Sequence, residues 1–79
     1  MDIILKLMGG LKKYNHQTDN SKNIELYLDS DSKVADIVNQ LNITKEYVAL
    51  VTVNKKVSDL NSKLKDGDKV VFYPPIGGG

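Results

Sequence analysis

The residues best suited to chemistry are the last six, Pro74-Pro75-Ile76-Gly77-Gly78-Gly79. Glycine has no Cβ, so a run of it can pass through a channel too narrow for other residues. Such a run adds no packing to a folded domain, and ordering it costs more entropy than ordering any other residue type. A use outside the domain is therefore expected. The Gly79 carboxylate would react inside a partner's active site, with Gly77 and Gly78 lying in the channel. A frayed end without a role is the plain alternative. The chain offers little other chemistry. It has no cysteine, which removes disulfides, thiolate metal sites and cysteine nucleophiles. His16 is the single histidine and stands in a polar stretch without an acidic cluster, so no metal is expected there. Gly9-Gly10-Leu11-Lys12-Lys13 lacks the spacing of a phosphate loop and reads as a turn. No Ser-His-Asp set or carboxylate pair can be argued, so the chain is not expected to be an enzyme by itself.

The elements that must position the tail are legible from period and punctuation. Ile3, Leu5 and Leu7 alternate with Ile4, Lys6 and Met8, which predicts a strand with one apolar face. Gly9-Gly10 ends it, and Leu11–Tyr14 reads as a short helical turn. Residues 15–23 read as a polar loop. Ile24, Leu26 and Leu28 mark a second strand running to Asp29, antiparallel to the first. Ser32 is the expected N-cap of a helix, with Asp36 where the helix dipole favours an anion. Val34, Ile37, Val38 and Leu41 form its apolar stripe, and Asn42 closes it in the left-handed conformation. Tyr47–Val53 is rich in β-branched residues and predicts a third strand. Asn54-Lys55-Lys56 reads as a turn and Val57 as part of a short return strand. Leu60 and Leu64 anchor an irregular segment, and Asp66-Gly67-Asp68 is a tight turn. Lys69–Tyr73 is the last strand, ended by two prolines that cannot donate to a ladder. The order β-β-α-β-β-β, with one helix on a mixed sheet of four to five strands, describes an α+β domain of β-grasp type. Its first and last strands lie parallel in the sheet centre. The expected division is a folded part over residues 1–73 and a tail over residues 74–79.

Bulk properties set limits on partners. The chain has 79 residues, enough for one domain, with 41% hydrophobic and 27% charged residues. Its formal net charge is +1, so no overall field selects nucleic acid, a membrane or an acidic partner. The opening residues, from Met1 to Met8, are too short and too interrupted by charge for a signal peptide, and no run approaches the roughly 20 residues of a membrane span. A monomer in the cytoplasm is the expectation.

Several segments carry a resemblance. These are Leu7-Met8-Gly9-Gly10-Leu11-Lys12-Lys13, Lys33-Val34-Ala35-Asp36-Ile37-Val38, Ala49-Leu50-Val51-Thr52-Val53-Asn54 and Leu64-Lys65-Asp66-Gly67-Asp68-Lys69-Val70. The end Tyr73-Pro74-Pro75-Ile76-Gly77-Gly78-Gly79 joins them. Together they resemble the sulfur-carrier family of ubiquitin-like proteins, which includes the molybdopterin synthase small subunit (MoaD) and the thiamine sulfur carrier (ThiS). The diproline is more similar to the molybdopterin branch and also resembles archaeal ubiquitin-like modifiers. Two positions depart. Asn54-Lys55 stands where the family often has Asn-Gly, which predicts a different turn type. Gly77 stands where alanine, serine or threonine is usual.

The resemblance implies a mechanism. A ubiquitin-activating-type partner uses ATP to adenylate Gly79, and a sulfur donor displaces AMP to leave a thiocarboxylate. The chain itself binds no cofactor. A synthase large subunit, or an equivalent acceptor, takes the sulfur. The open sheet face docks both partners, which points to Tyr73, Met8 and Val71, set opposite the core residues Phe72 and Leu7. From Tyr73 to Gly79 an extended chain reaches at most about 20 Å, enough to enter a buried site. Two other functions stay open: a ubiquitin-like modifier joined through Gly79 to lysines, and a β-grasp interaction module with an inert tail.

Overall fold

The computed structural model describes residues 1–15 and 23–75. The polar loop that holds His16, and Gly77, Gly78 and Gly79, lie outside the described residues. Among the described residues five strands form one mixed sheet: β1 (Asp2–Leu7), β2 (Ile24–Tyr27), β3 (Leu50–Val53), β4 (Lys56–Ser58) and β5 (Lys69–Tyr73). Their order across the sheet is β2-β1-β5-β3-β4. β1 and β5 are parallel and central, with Leu5 opposite Val70 and Leu7 opposite Phe72. The remaining neighbours are antiparallel. This is the expected β-grasp architecture.

Among the described residues one α-helix, α1 (Val34–Gln40), supplies Val34, Ile37 and Val38 to the core, with Leu41 partly buried beside them. They share that core with Ile3, Leu5, Leu7, Val70 and Phe72. The helix starts one residue later than its capping sequence suggests. Lys33, not Ser32, is the N-cap, and no side chain on it caps the helix. The first two amides have other partners: Val34 N–H donates to Ser62 O at 3.0 Å and Ala35 N–H to Leu60 O at 2.9 Å. A backbone segment distant in sequence thus does the work of a capping hydroxyl. Asp36 accepts from Lys33 N–H at 2.7 Å, the acidic half of a capping box. At the other end Asn42 has φ 56°. Asn42 N–H donates to Asn39 O and Ile43 N–H to Val38 O, which is a Schellman closure with Ile43 and Val38 both buried.

Three other sequence expectations are corrected. β2 stops at Tyr27, short of Asp29. Residues 45–47 form a 3₁₀ turn (Lys45–Tyr47), so β3 begins only at Leu50. β-branched content does not make a strand where the chain must still turn into the sheet. The β3–β4 turn does not change type to avoid Lys55. Asn54 has φ 52° and Lys55 φ 71°, the two positive torsions of a type I′ hairpin.

Two acidic residues anchor the start of β5. Asp66 Oδ1 accepts from Asp2 N–H at 2.6 Å, and Gly67, with φ 85°, lets the chain double back. Asp68 accepts from Asn54 Nδ2 at 2.9 Å and from Lys65 N–H at 2.8 Å, while Asn54 Oδ1 accepts from Lys69 N–H at 3.0 Å. The β3–β4 turn is thereby tied to β5.

Candidate functional site

The candidate site is the end of β5 and the sheet face that leads to it. Pleating places Val70 and Phe72 in the core and turns Lys69, Val71 and Tyr73 to the side away from α1. β5 is held on both flanks to its last residue. Met8 N–H donates to Phe72 O at 3.1 Å, and Ala49 N–H donates to Tyr73 O at 2.8 Å. Pro74 has no N–H and the ladder stops there. The tail thus departs from the centre of the sheet, where β5 is flanked by β1 and β3.

Met8, Val71 and Tyr73 are all half-buried. Val71 and Tyr73 lie on the open face of β5. Met8 follows β1 with extended backbone, and its alternation with Leu7 puts it on the same side. Register then adds residues that the sequence reading did not single out. Leu50 is opposite Tyr73, Thr52 is opposite both Val71 and Val57, and Lys6 is opposite Val71. Leu50 is 41% exposed and Val57 74%. They form an apolar band with Tyr73 and Val71 across three strands. Alternation against buried Val51 carries a signal for Leu50. Val57 sits in a strand too short for its face to be read without a partner register.

A second feature was missed because it is local. A groove of about 500 Å³ on this face has Ile4 and Val71 among its lining, together with Lys6, Lys55 and Lys69. A net charge of +1 conceals three lysines around one apolar depression. Beside the tail base lies a smaller hollow of about 170 Å³, lined by Gly10, Leu11, Lys13, Tyr47, Pro74 and Pro75. Lys13 Nζ is 5.5 Å from the Tyr14 ring centroid and 5.4 Å from that of Tyr47, so one cation bridges the two 3₁₀ segments, Gly9–Tyr14 and Lys45–Tyr47. Among the described residues there is no group of His, Cys, Asp and Glu that could hold a metal. No helix among them is long and apolar enough to cross a membrane.

Fold and site together define a small protein of the ubiquitin-like β-grasp fold, with its chain leaving the centre of the sheet after β5. The chain matches the model of the ThiS family over residues 12–79, and it belongs to that family. A comparison with curated proteins found no match. Solved structures share the fold. Small archaeal modifier protein 1 of Haloferax volcanii superposes with a TM-score of 0.74 at 17% identity, covering 95% of this chain and 98% of that one. A putative molybdopterin converting factor subunit 1 from Pyrococcus furiosus gives 0.72 at 20% identity, with coverage of 95% and 98%. A complex of subunits 1 and 2 of molybdopterin-converting factor from Helicobacter pylori 26695 gives 0.63 at 22% identity, with full coverage of both chains.

Proposed function

We propose that this chain is a sulfur carrier for cofactor biosynthesis, with molybdopterin the first candidate product. The Gly79 carboxylate attacks the α-phosphorus of ATP in a ubiquitin-activating-type partner, and pyrophosphate leaves. A sulfide-equivalent donor then attacks the acyl carbon. A C–S bond forms, the C–O bond to AMP breaks, and the terminus becomes a thiocarboxylate. The nucleotide site and its catalytic groups belong to the partner, and the chain binds no cofactor of its own. Residues 1–73 dock, residues 74–79 reach, and Gly77 and Gly78 occupy the channel. The setting is the cytoplasm.

The observation that carries this reading is the meeting of two features at the C-terminal end of β5. The apolar band that contains Tyr73, Leu50 and Val71 ends where Pro74-Pro75 leaves the sheet. A partner seated on that band meets the chain where it leaves the sheet at Pro74-Pro75. Family membership and the subunit 1–subunit 2 complex of the Helicobacter neighbour support a synthase large subunit as the second partner. The fold likeness to the Haloferax modifier supports a second reading, conjugation of Gly79 to lysines. Intact mass of the protein from native cells tests the first. Replacement of one carboxylate oxygen by sulfur adds about 16 Da. A ladder of larger species on a blot of the same cells, with no such mass, favours the modifier.

A further inference from the structure

Gly9 and Gly10 follow β1 as a pair, yet their surroundings differ. Around Gly10 there is nothing within 4 Å of the place a Cβ would take. At Gly9 a Cβ would stand 3.0 Å from Pro74 Cγ and 3.7 Å from Pro74 Cδ. Gly9 has φ 52°. That torsion alone does not demand glycine in this chain, because Asn54 has φ 52° and Asn42 φ 56°. What distinguishes Gly9 is the Pro74 ring beside the place its Cβ would take.

Pro74 has little freedom to yield. The two hydrogen bonds to Phe72 O and Tyr73 O pin β5 from both sides up to the preceding residue. The pyrrolidine ring fixes its own φ. A side chain at position 9 therefore pushes on the ring, by a few tenths of an ångström, at the first link of the tail.

We propose that Gly9 is a positioning residue: its bare α-carbon seats Pro74 and sets the direction in which the chain leaves the sheet at Pro75. The inference rests on the reading of Gly79 as the reacting end. It does not place Gly9 in contact with any reacting atom.

The test uses Gly9→Asn, Gly10→Asn, Pro74→Ala and the double variant Gly9→Asn/Pro74→Ala in the full chain. Asparagine keeps the left-handed torsion accessible, so the substitution adds a side chain without forbidding the backbone. Two quantities are measured: the ¹³C shifts of the Pro74 ring, and ATP–pyrophosphate exchange with the ubiquitin-activating-type enzyme encoded by the same genome. Gly9→Asn should move the ring shifts and lower kcat roughly tenfold, since misplacement by about 1 Å can cost ~10²-fold. KM should change less than about twofold, because the docking face is untouched. Gly10→Asn should do neither. In the Pro74→Ala background the Gly9→Asn substitution should have no further effect on kcat, the non-additivity expected of groups in contact. Equal behaviour of the two glycine variants, or an equal penalty with and without Pro74, would overturn the proposal. A wild-type chain silent in exchange overturns the Gly79 reading and the positioning role with it, while the ring shifts still report separately on the seat.

Discussion

Asp68 is 7% exposed, and each of its carboxylate oxygens accepts a hydrogen bond, one from the Asn54 amide and one from Lys65 N–H. Burial of a carboxylate is tolerated only with such partners. Removing it leaves the Asn54 amide and Lys65 N–H without their acceptor. Asp68→Ala is expected to cost about 1–3 kcal/mol in a urea melt. Asn54→Ala removes one partner of the same network, so the double variant should lose less than the sum of the singles. A full sum would mean that the two side chains act independently. None of this was visible from Asp66-Gly67-Asp68 read as a turn. The motif identifies the turn, but the partner Asn54 lies in the β3–β4 turn, and only the β3–β5 register brings it to Asp68. The candidate docking residues were legible for a simpler reason. Tyr73, Val71 and Met8 each alternate with a residue too apolar to be anywhere but the core.

Among the elements, α1 and the β3–β4 hairpin show where local signals suffice and where they fail. The stripe Val34-Ile37-Val38 is buried as its spacing requires, and Ile37 is fully enclosed. Ile37→Ala should therefore cost roughly 2–5 kcal/mol, a large share of a small domain's stability. Thermal or denaturant unfolding measures it, and a loss below about 1 kcal/mol would mean the core collapses around the gap. Helix boundaries were less legible. Ser32 is a good cap by type, yet the carbonyls of Leu60 and Ser62 serve the helix amides instead, and no local pattern announces them. The hairpin errs in the opposite sense. Lys55 argued against a type I′ turn, but the pairing of Val53 with Lys56 and Val51 with Ser58 imposes the two-residue loop regardless. Tertiary pairing holds a lysine at φ 71°. Left-handed torsion costs a side chain about 1–2 kcal/mol, against roughly 0.5–1 kcal/mol of extra entropy lost by glycine. Lys55→Gly is thus expected to stabilise the fold by about 0.5–1 kcal/mol, read as a higher urea midpoint at unchanged slope. A lower midpoint would show that the lysine side chain makes a compensating contact.

On the scale of the whole molecule, the central placement of β5 decides what the tail and the open face do for one another. A strand with neighbours on both sides makes a rigid base, and the apolar band of Tyr73, Leu50 and Val71 crosses it at the exit. Docking and reaction should then separate kinetically. Tyr73→Asp places a charge in the band, so it should raise KM for ATP–pyrophosphate exchange at least about tenfold while kcat falls less. Its melting temperature should stay near that of the wild type, because Tyr73 points away from the core that contains Phe72. Deletion of Gly79 should have the opposite signature. The band is intact and binding persists, but the carboxylate falls one residue short, about 3.5 Å, of the nucleotide. A displacement of about 1 Å can already cost ~10²-fold, so exchange should vanish into background. A bulky residue added after Gly79 should abolish exchange equally, by failing to enter the channel. Stability of either tail variant should remain within about 0.5 kcal/mol of wild type, as for surface changes away from special features. Exchange, KM and a denaturant melt on the same preparations decide the matter. Full activity from the Gly79 deletion would show that the terminus is not the reacting group, and the carrier and modifier readings would fall together, leaving a β-grasp interaction module with an inert tail.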